Sequence, residues 1–112
     1  MSLIHDKIDV LSINFGSPRV GNKKFSDFSA AKFPDHQRYT HHKDIIPHLP
    51  TNSLALLLGG YFHSGTEFYE RKDGVVKKCE GSFDSRCSAQ WFAWNWNVKD
   101  HLTYLGHKFV CN

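Results

Sequence analysis

The sequence predicts an α/β fold with parallel strands whose carboxyl ends carry the functional loops. Three observations support this. Residues 8–15 are β-rich and nearly continuous in apolar side chains, as in a strand covered on both faces. A helical pattern at 23–33 and a second strand at 38–42 follow closely, which makes a right-handed βαβ unit. Residues 66–70 and 75–78 flank Lys72-Asp73-Gly74, a hairpin signal, so the later strand returns antiparallel.

The first strand ends at Gly16-Ser17-Pro18. Asn22 is a good N-cap for the helix, in which Phe25, Phe28, Ala31 and Lys32 fall at helical spacing and which Pro34 stops. The strand 38–42 runs into a loop carrying Asp44, anchored by Ile45 and Ile46 and stiffened by Pro47 and Pro50. Residues 51–60 read as a loop or short helical turn around the apolar run 54–58. A polar loop joins Cys79 to Cys87. Residues 90–97 are strongly aromatic, and 98–105 suit a short helix with His101 near its start.

With 112 residues, 40% hydrophobic and 22% charged, the composition is that of one modest globular domain. The net charge of +3 is spread thinly, in short basic pairs such as Lys23-Lys24 and Lys77-Lys78, so nucleic acid is not an expected partner. The apolar run 54–58 is too short to cross a bilayer. Residues 1–10 lack an apolar core and carry Asp6 and Asp9, unlike a signal peptide. Cys79, Cys87 and Cys111 are an odd number, so one disulfide with a leftover thiol is open, as is none.

In open α/β sheets, functional loops sit beyond the strands' carboxyl ends, where residues 16–21 and 43–50 fall. An acid there, on a rigid loop, suits orienting a histidine, and His101 is the partner to expect for Asp44. A lone acid after a strand also serves as an ordinary turn or capping residue. His41, His42, His48 and His63 with Asp44 invite a metal reading. Neighbouring strand residues point to opposite faces, however, and no H-E-x-x-H pattern is present. No metal is therefore expected, and His48 and His63 read as loop-packing residues. Arg19 and Asn22 read as hydrogen-bonding braces.

Four stretches together resemble one family. Asn14-Phe15-Gly16-Ser17-Pro18-Arg19-Val20-Gly21-Asn22 is similar to the strand and turn after the nucleophile helix of fungal-type, class 3 triacylglycerol lipases. His42-Lys43-Asp44-Ile45-Ile46-Pro47-His48-Leu49-Pro50 resembles the segment with that family's catalytic aspartate. Asp100-His101-Leu102-Thr103-Tyr104-Leu105-Gly106 resembles the segment with its catalytic histidine. Tyr61-Phe62-His63-Ser64-Gly65-Thr66-Glu67-Phe68-Tyr69 is a weaker match to the stretch between them.

The resemblance implies an α/β-hydrolase fold, a Ser-Asp-His triad, Asp44 as its acid and His101 as its base. It implies an acylglycerol or similar ester as substrate, contact with a lipid interface, secretion, and no cofactor. It pairs Cys79 with Cys87 and sends Cys111 to a cysteine near the start of the full domain. Trp91, Phe92, Trp94 and Trp96 could line an acyl groove or serve as shielding. In an extended segment Phe92, Trp94 and Trp96 share one face.

The nucleophile is missing. None of the ten serines lies in G-x-S-x-G, and Ser64 lacks the leading glycine. A parallel crossover takes about a dozen residues, and only seven precede Ile8. Residues 1–112 are therefore expected to be the C-terminal part of a lipase domain, with an incomplete sheet, no elbow and nothing before it. Such a chain is expected to be inactive alone and to self-associate through the apolar first strand. The alternative is a non-catalytic remnant that pairs with another chain through its sheet edge or aromatic segment.

Overall fold

The computed structural model describes residues 8–51, 59–81, 83–109 and 111. The apolar run 54–58 lies outside these. A four-stranded sheet has the order β1 (Ile13–Phe15), β2 (Gln37–His41), β3 (Thr66–Glu70), β4 (Val76–Lys78). β1, β2 and β3 are mutually parallel, and β4 returns antiparallel to β3, as the hairpin signal suggests.

β1 is shorter than its apolar pattern. The parallel register sets Ile13 opposite Gln37, the first residue of β2. Residues before Ile13 therefore run past the start of their neighbour and form no ladder. Nor is β1 covered on both faces, since Ile13 and Phe15 are exposed at the sheet edge.

Helix α1 (Lys23–Lys32) crosses from β1 to β2. The Asn22 side chain accepts from the Phe25 N–H, the cap its sequence suggests. The helix does not turn its aromatic residues inward. Phe25 and Phe28 are exposed, and Ser26 is the buried residue, donating its hydroxyl to the His63 carbonyl.

Strand alternation gives the sheet two unlike faces. One carries an aromatic ladder, Phe15 to Tyr39 to Phe68, with centroids 5.1 and 5.3 Å apart. The other carries Arg38, Thr40, Glu67 and Tyr69, all buried. Glu67 accepts from Thr40 Oγ1 at 2.5 Å and from the Ser88 hydroxyl, and Arg38 lies 3.7 Å away. A buried carboxylate is tolerated only with such partners. The Cys79–Cys87 disulfide and the segment after it cover this face, and Trp91 Nε1 donates to the Tyr69 hydroxyl at 2.9 Å.

Two expectations for the last third are corrected. Residues 90–97 are not extended. They turn at Ala93–Asn95, so Phe92 stacks on Trp94, while Trp96 stacks on His48 at 4.4 Å. Nor is 98–105 one helix. A 3-10 turn at Lys99–Leu102 gives way to β5 (Thr103–Tyr104), which pairs with β6 (His107–Lys108). The β-branched Thr103 favours extended backbone, and Leu105-Gly106, both at positive φ, close the hairpin.

His48 and His63 pack the loop after β2. His63 Nε2 donates to the Pro47 carbonyl at 2.6 Å. Burial, then the charge of Arg19, pulls the His48 imidazole down to about 4. Burial, then the charge of Arg38, pulls His63 to about 3. Both are neutral in the native state and titrate near 6.5 when unfolded. Stability conferred by the neutral forms is thus complete above about pH 6.5 and is lost as the pH falls toward the native values. Between pH 6 and pH 5 each histidine should cost about 1 kcal/mol. His63→Gln should remove about 1 kcal/mol from the loss of unfolding free energy between pH 6 and pH 5, measured by urea titration.

Candidate active site

β1 and β2 are parallel, so their carboxyl ends meet at one edge of the sheet. β1 ends at Phe15, and Gly16 follows with a φ of +64° that turns the chain away while its N–H still donates to the Tyr39 carbonyl at 2.9 Å. β2 ends at His41. His42 takes a left-handed φ of 40°, and the Asp44 N–H closes back on the His41 carbonyl at 2.9 Å. This turn lifts the Asp44 side chain over the strand ends.

Asp44 is 2% exposed. Its Oδ1 accepts from the Ile46 N–H at 2.8 Å, which starts the turn Ile46–His48. Its Oδ2 accepts from His101 Nδ1 at 2.9 Å and from the Tyr104 hydroxyl. A carboxylate only accepts, so His101 carries its proton on Nδ1 and offers Nε2 as a base. The His101 side chain is 32% exposed, so that nitrogen belongs to the accessible member of the pair. Burial and the bond to Asp44 push the Tyr104 hydroxyl up, so it remains a donor. A shallow cavity of about 320 Å³ lies beside the pair, lined by Phe15, His101, Leu102, Tyr104 and Phe109.

Gly16 lies directly beneath. A Cβ there would stand 2.8 Å from His101 Cε1 and Nδ1 and 2.9 Å from Asp44 Oδ2. No side chain fits, and the positive φ already favours glycine.

A second carboxylate fastens the histidine segment. Asp100 Oδ2 accepts from the Lys43 N–H at 3.1 Å, from His42 Nδ1 at 3.0 Å and from Asn97 Nδ2 at 3.1 Å. His41 Nδ1 donates to the Asp100 carbonyl at 2.8 Å. Burial pushes the Asp100 carboxyl up, but these bonds outweigh it and hold it below the usual range. The backbone adds a parallel bridge, with the Ile45 N–H on the Asn97 carbonyl and the Asn97 N–H on the Lys43 carbonyl. Arg19 braces the other side of the loop, donating to the His48 and Pro50 carbonyls at 2.6 and 2.7 Å.

The structure therefore brings Asp44 and His101 into contact and joins Cys79 to Cys87. Cys111 is exposed with a free thiol. The histidines considered as metal ligands have other partners, His41 and His42 on Asp100, His48 on Trp96 and His63 on Pro47. Among the described residues, Glu67, Cys79 and Cys87 bring three ligand atoms together, and there the two sulfurs are bonded to each other. Sequence reasoning missed Gly16, Tyr104 and Asp100. Tyr104 three residues after His101, and an acid just before it, were the available signals.

A profile of the family described as lipase (class 3) matches residues 2–54. Over 94 residues the chain is 30% identical to a lipase of Rhizomucor miehei, covering 81% of this chain and 24% of that one. A solved triacylglycerol lipase, whose catalytic centre is formed by a serine protease triad, superposes with a TM-score of 0.71 at 29% identity. It covers 87% of this chain and 36% of its own.

The chain is related to part of the class 3 lipase family.

Its sheet is part of the α/β-hydrolase fold of those lipases. Another relative, 27% identical over 105 residues, is a secreted mono- and diacylglycerol lipase of Fusarium solani, and 29% of its length is matched. The chain thus spans about a quarter of the curated lipases it resembles.

Gly16→Ala should force His101 off Asp44. Its measures are loss of the low-field Nδ1–H resonance in the NMR spectrum and a destabilisation of about 2 kcal/mol or more. Tyr104→Phe should leave that resonance in place and cost about 1–3 kcal/mol, because a buried acceptor loses one donor.

Proposed function

We propose that this chain carries the acid and base of a serine ester hydrolase of the class 3 lipase type. Asp44 is the acid and His101 the base. The observation that carries the reading is the 2.9 Å bond from His101 Nδ1 to a buried Asp44 that is anchored from its other oxygen. In that arrangement His101 Nε2 takes the proton of a serine hydroxyl as it attacks the ester carbonyl, then returns it to the leaving alkoxide. Asp44 holds the tautomer and stabilises the imidazolium. No G-x-S-x-G occurs in these 112 residues, so the nucleophile comes from elsewhere and the chain alone does not form an acyl-enzyme. The substrate class is acylglycerols, as the names of the relatives indicate for those proteins. Secretion is consistent with a disulfide, which persists in oxidising compartments.

The test is a chimera in which the N-terminal portion of the Rhizomucor lipase, with its serine, precedes this chain. The chimera should hydrolyse a p-nitrophenyl ester, and Asp44→Asn or His101→Ala within it should lower the rate by about 10⁴-fold. The chain by itself should take no fluorophosphonate label. Stoichiometric labelling of the chain alone, or a chimera indifferent to both substitutions, would overturn the assignment.

A second reading rests on β1. Leu11, Ile13 and Phe15 are exposed along a sheet edge, a surface that pairs with other strands. On this reading the chain self-associates as a non-catalytic module. Light scattering should then show mass rising with concentration, and Ile13→Lys should suppress the rise. A monodisperse monomer at every concentration would remove this reading.

A further inference from the structure

On the face away from the aromatic ladder, a cavity of about 450 Å³ opens between the loop after β2 and the aromatic segment. This is the size range of small-molecule sites. Arg19, Arg38 and His48 line it together with Trp91, Trp94 and Trp96. Its polar groups are under-used. Arg38 is 5% exposed, yet its Nε has no hydrogen-bond partner among the described residues. His48 is 8% exposed, and its Nε2 is equally unpartnered. Both unpaired nitrogens are sealed from solvent, so an occupant would meet the other, cavity-lining atoms of these two side chains.

The charge balance points to the sign of the occupant. Two guanidiniums face the cavity. The carboxylate beside Arg38, Glu67, stands 3.7 Å off and already accepts from Thr40 and Ser88. Arg19 gives its Nη1 to neutral carbonyls. Burial, then the charge of Arg38, lowers the Arg19 guanidinium from its ordinary value, and burial lowers Arg38 as well. Two partly desolvated guanidiniums at one wall favour an anion over a cation. The other walls are indoles, which favour an apolar body.

We propose that this cavity binds an amphiphilic carboxylate, with its head at Arg38 and His48 and its tail along Trp94 and Trp96. If the hydrolase reading holds, the carboxylate class is that of the acid released from the ester. The binding itself needs neither the serine nor His101.

The experiment is calorimetric titration of the 112-residue chain at pH 8 with sodium octanoate below its micelle concentration. Saturable one-to-one binding is expected. 1-Octanol, which lacks the charge, and sodium sulfate, which lacks the tail, should each bind at least tenfold more weakly. Arg38→Gln should weaken octanoate at least tenfold. Since that change touches a buried residue, Trp94→Ala serves as the second variant. Trp94 is 79% exposed, so its removal leaves the fold intact by circular dichroism. It should weaken octanoate several-fold. Absence of saturable binding, equal affinity for octanol or for sulfate, or octanoate affinity unchanged by Trp94→Ala would each overturn the proposal. Octanoate binding alongside an inactive chimera would remove the hydrolase reading and leave the cavity's role standing.

Discussion

The buried carboxylate of Asp44 is the constraint on which this chain's arrangement depends. Taking an ionised carboxylate out of water costs several kcal/mol unless donors replace the lost solvent. Asp44 recruits three donors: the Ile46 N–H, His101 and Tyr104. The first is local. The other two lie 57 and 60 residues away in sequence, so the chain must fold the β5–β6 hairpin back over the sheet to supply them. The hairpin is then pinned by the Leu105 N–H on Glu70 at 2.8 Å.

The two sheet faces meet the problem of burial differently. The aromatic face uses dispersion and stacking, which need no directional partners. The polar face buries Arg38, Glu67 and Asp84 beside a disulfide, and each charge there depends on specific bonds. Asp84 receives the Arg86 side chain and the Glu80 and Arg86 N–H groups, which hold its carboxyl far below the usual range. Asp84 thus ties Glu80 and Arg86 together between the two cysteines.

What could be read from the sequence followed the range of the interactions. Helix α1 and the β3–β4 hairpin rest on local signals, an N-cap asparagine and an Asp-Gly turn, and both formed where those signals stand. β2 begins and ends one residue earlier than its pattern suggests, because His42 leaves the strand at positive φ. The length of β1 was illegible, since it depends on where β2 starts. The helix expected over 98–105 failed because a two-residue turn and one β-branched side chain outweigh a weak helical pattern. Asp44 and His101 stood out because the stretches around them resemble segments of class 3 lipases. Gly16 did not, for its role is set by atoms that approach from 28 and 85 residues downstream.

The double grip of His41 and His42 on Asp100 has a further meaning. Consecutive residues at the end of one strand seize a single residue of a distant turn, one by its backbone and one by its side chain. The imidazole that follows that residue is thereby aimed by the scaffold itself. On the proposed reading, a segment arriving with a hydroxyl would meet a receiver already in place, the entropy of ordering it having been spent during folding rather than at the encounter.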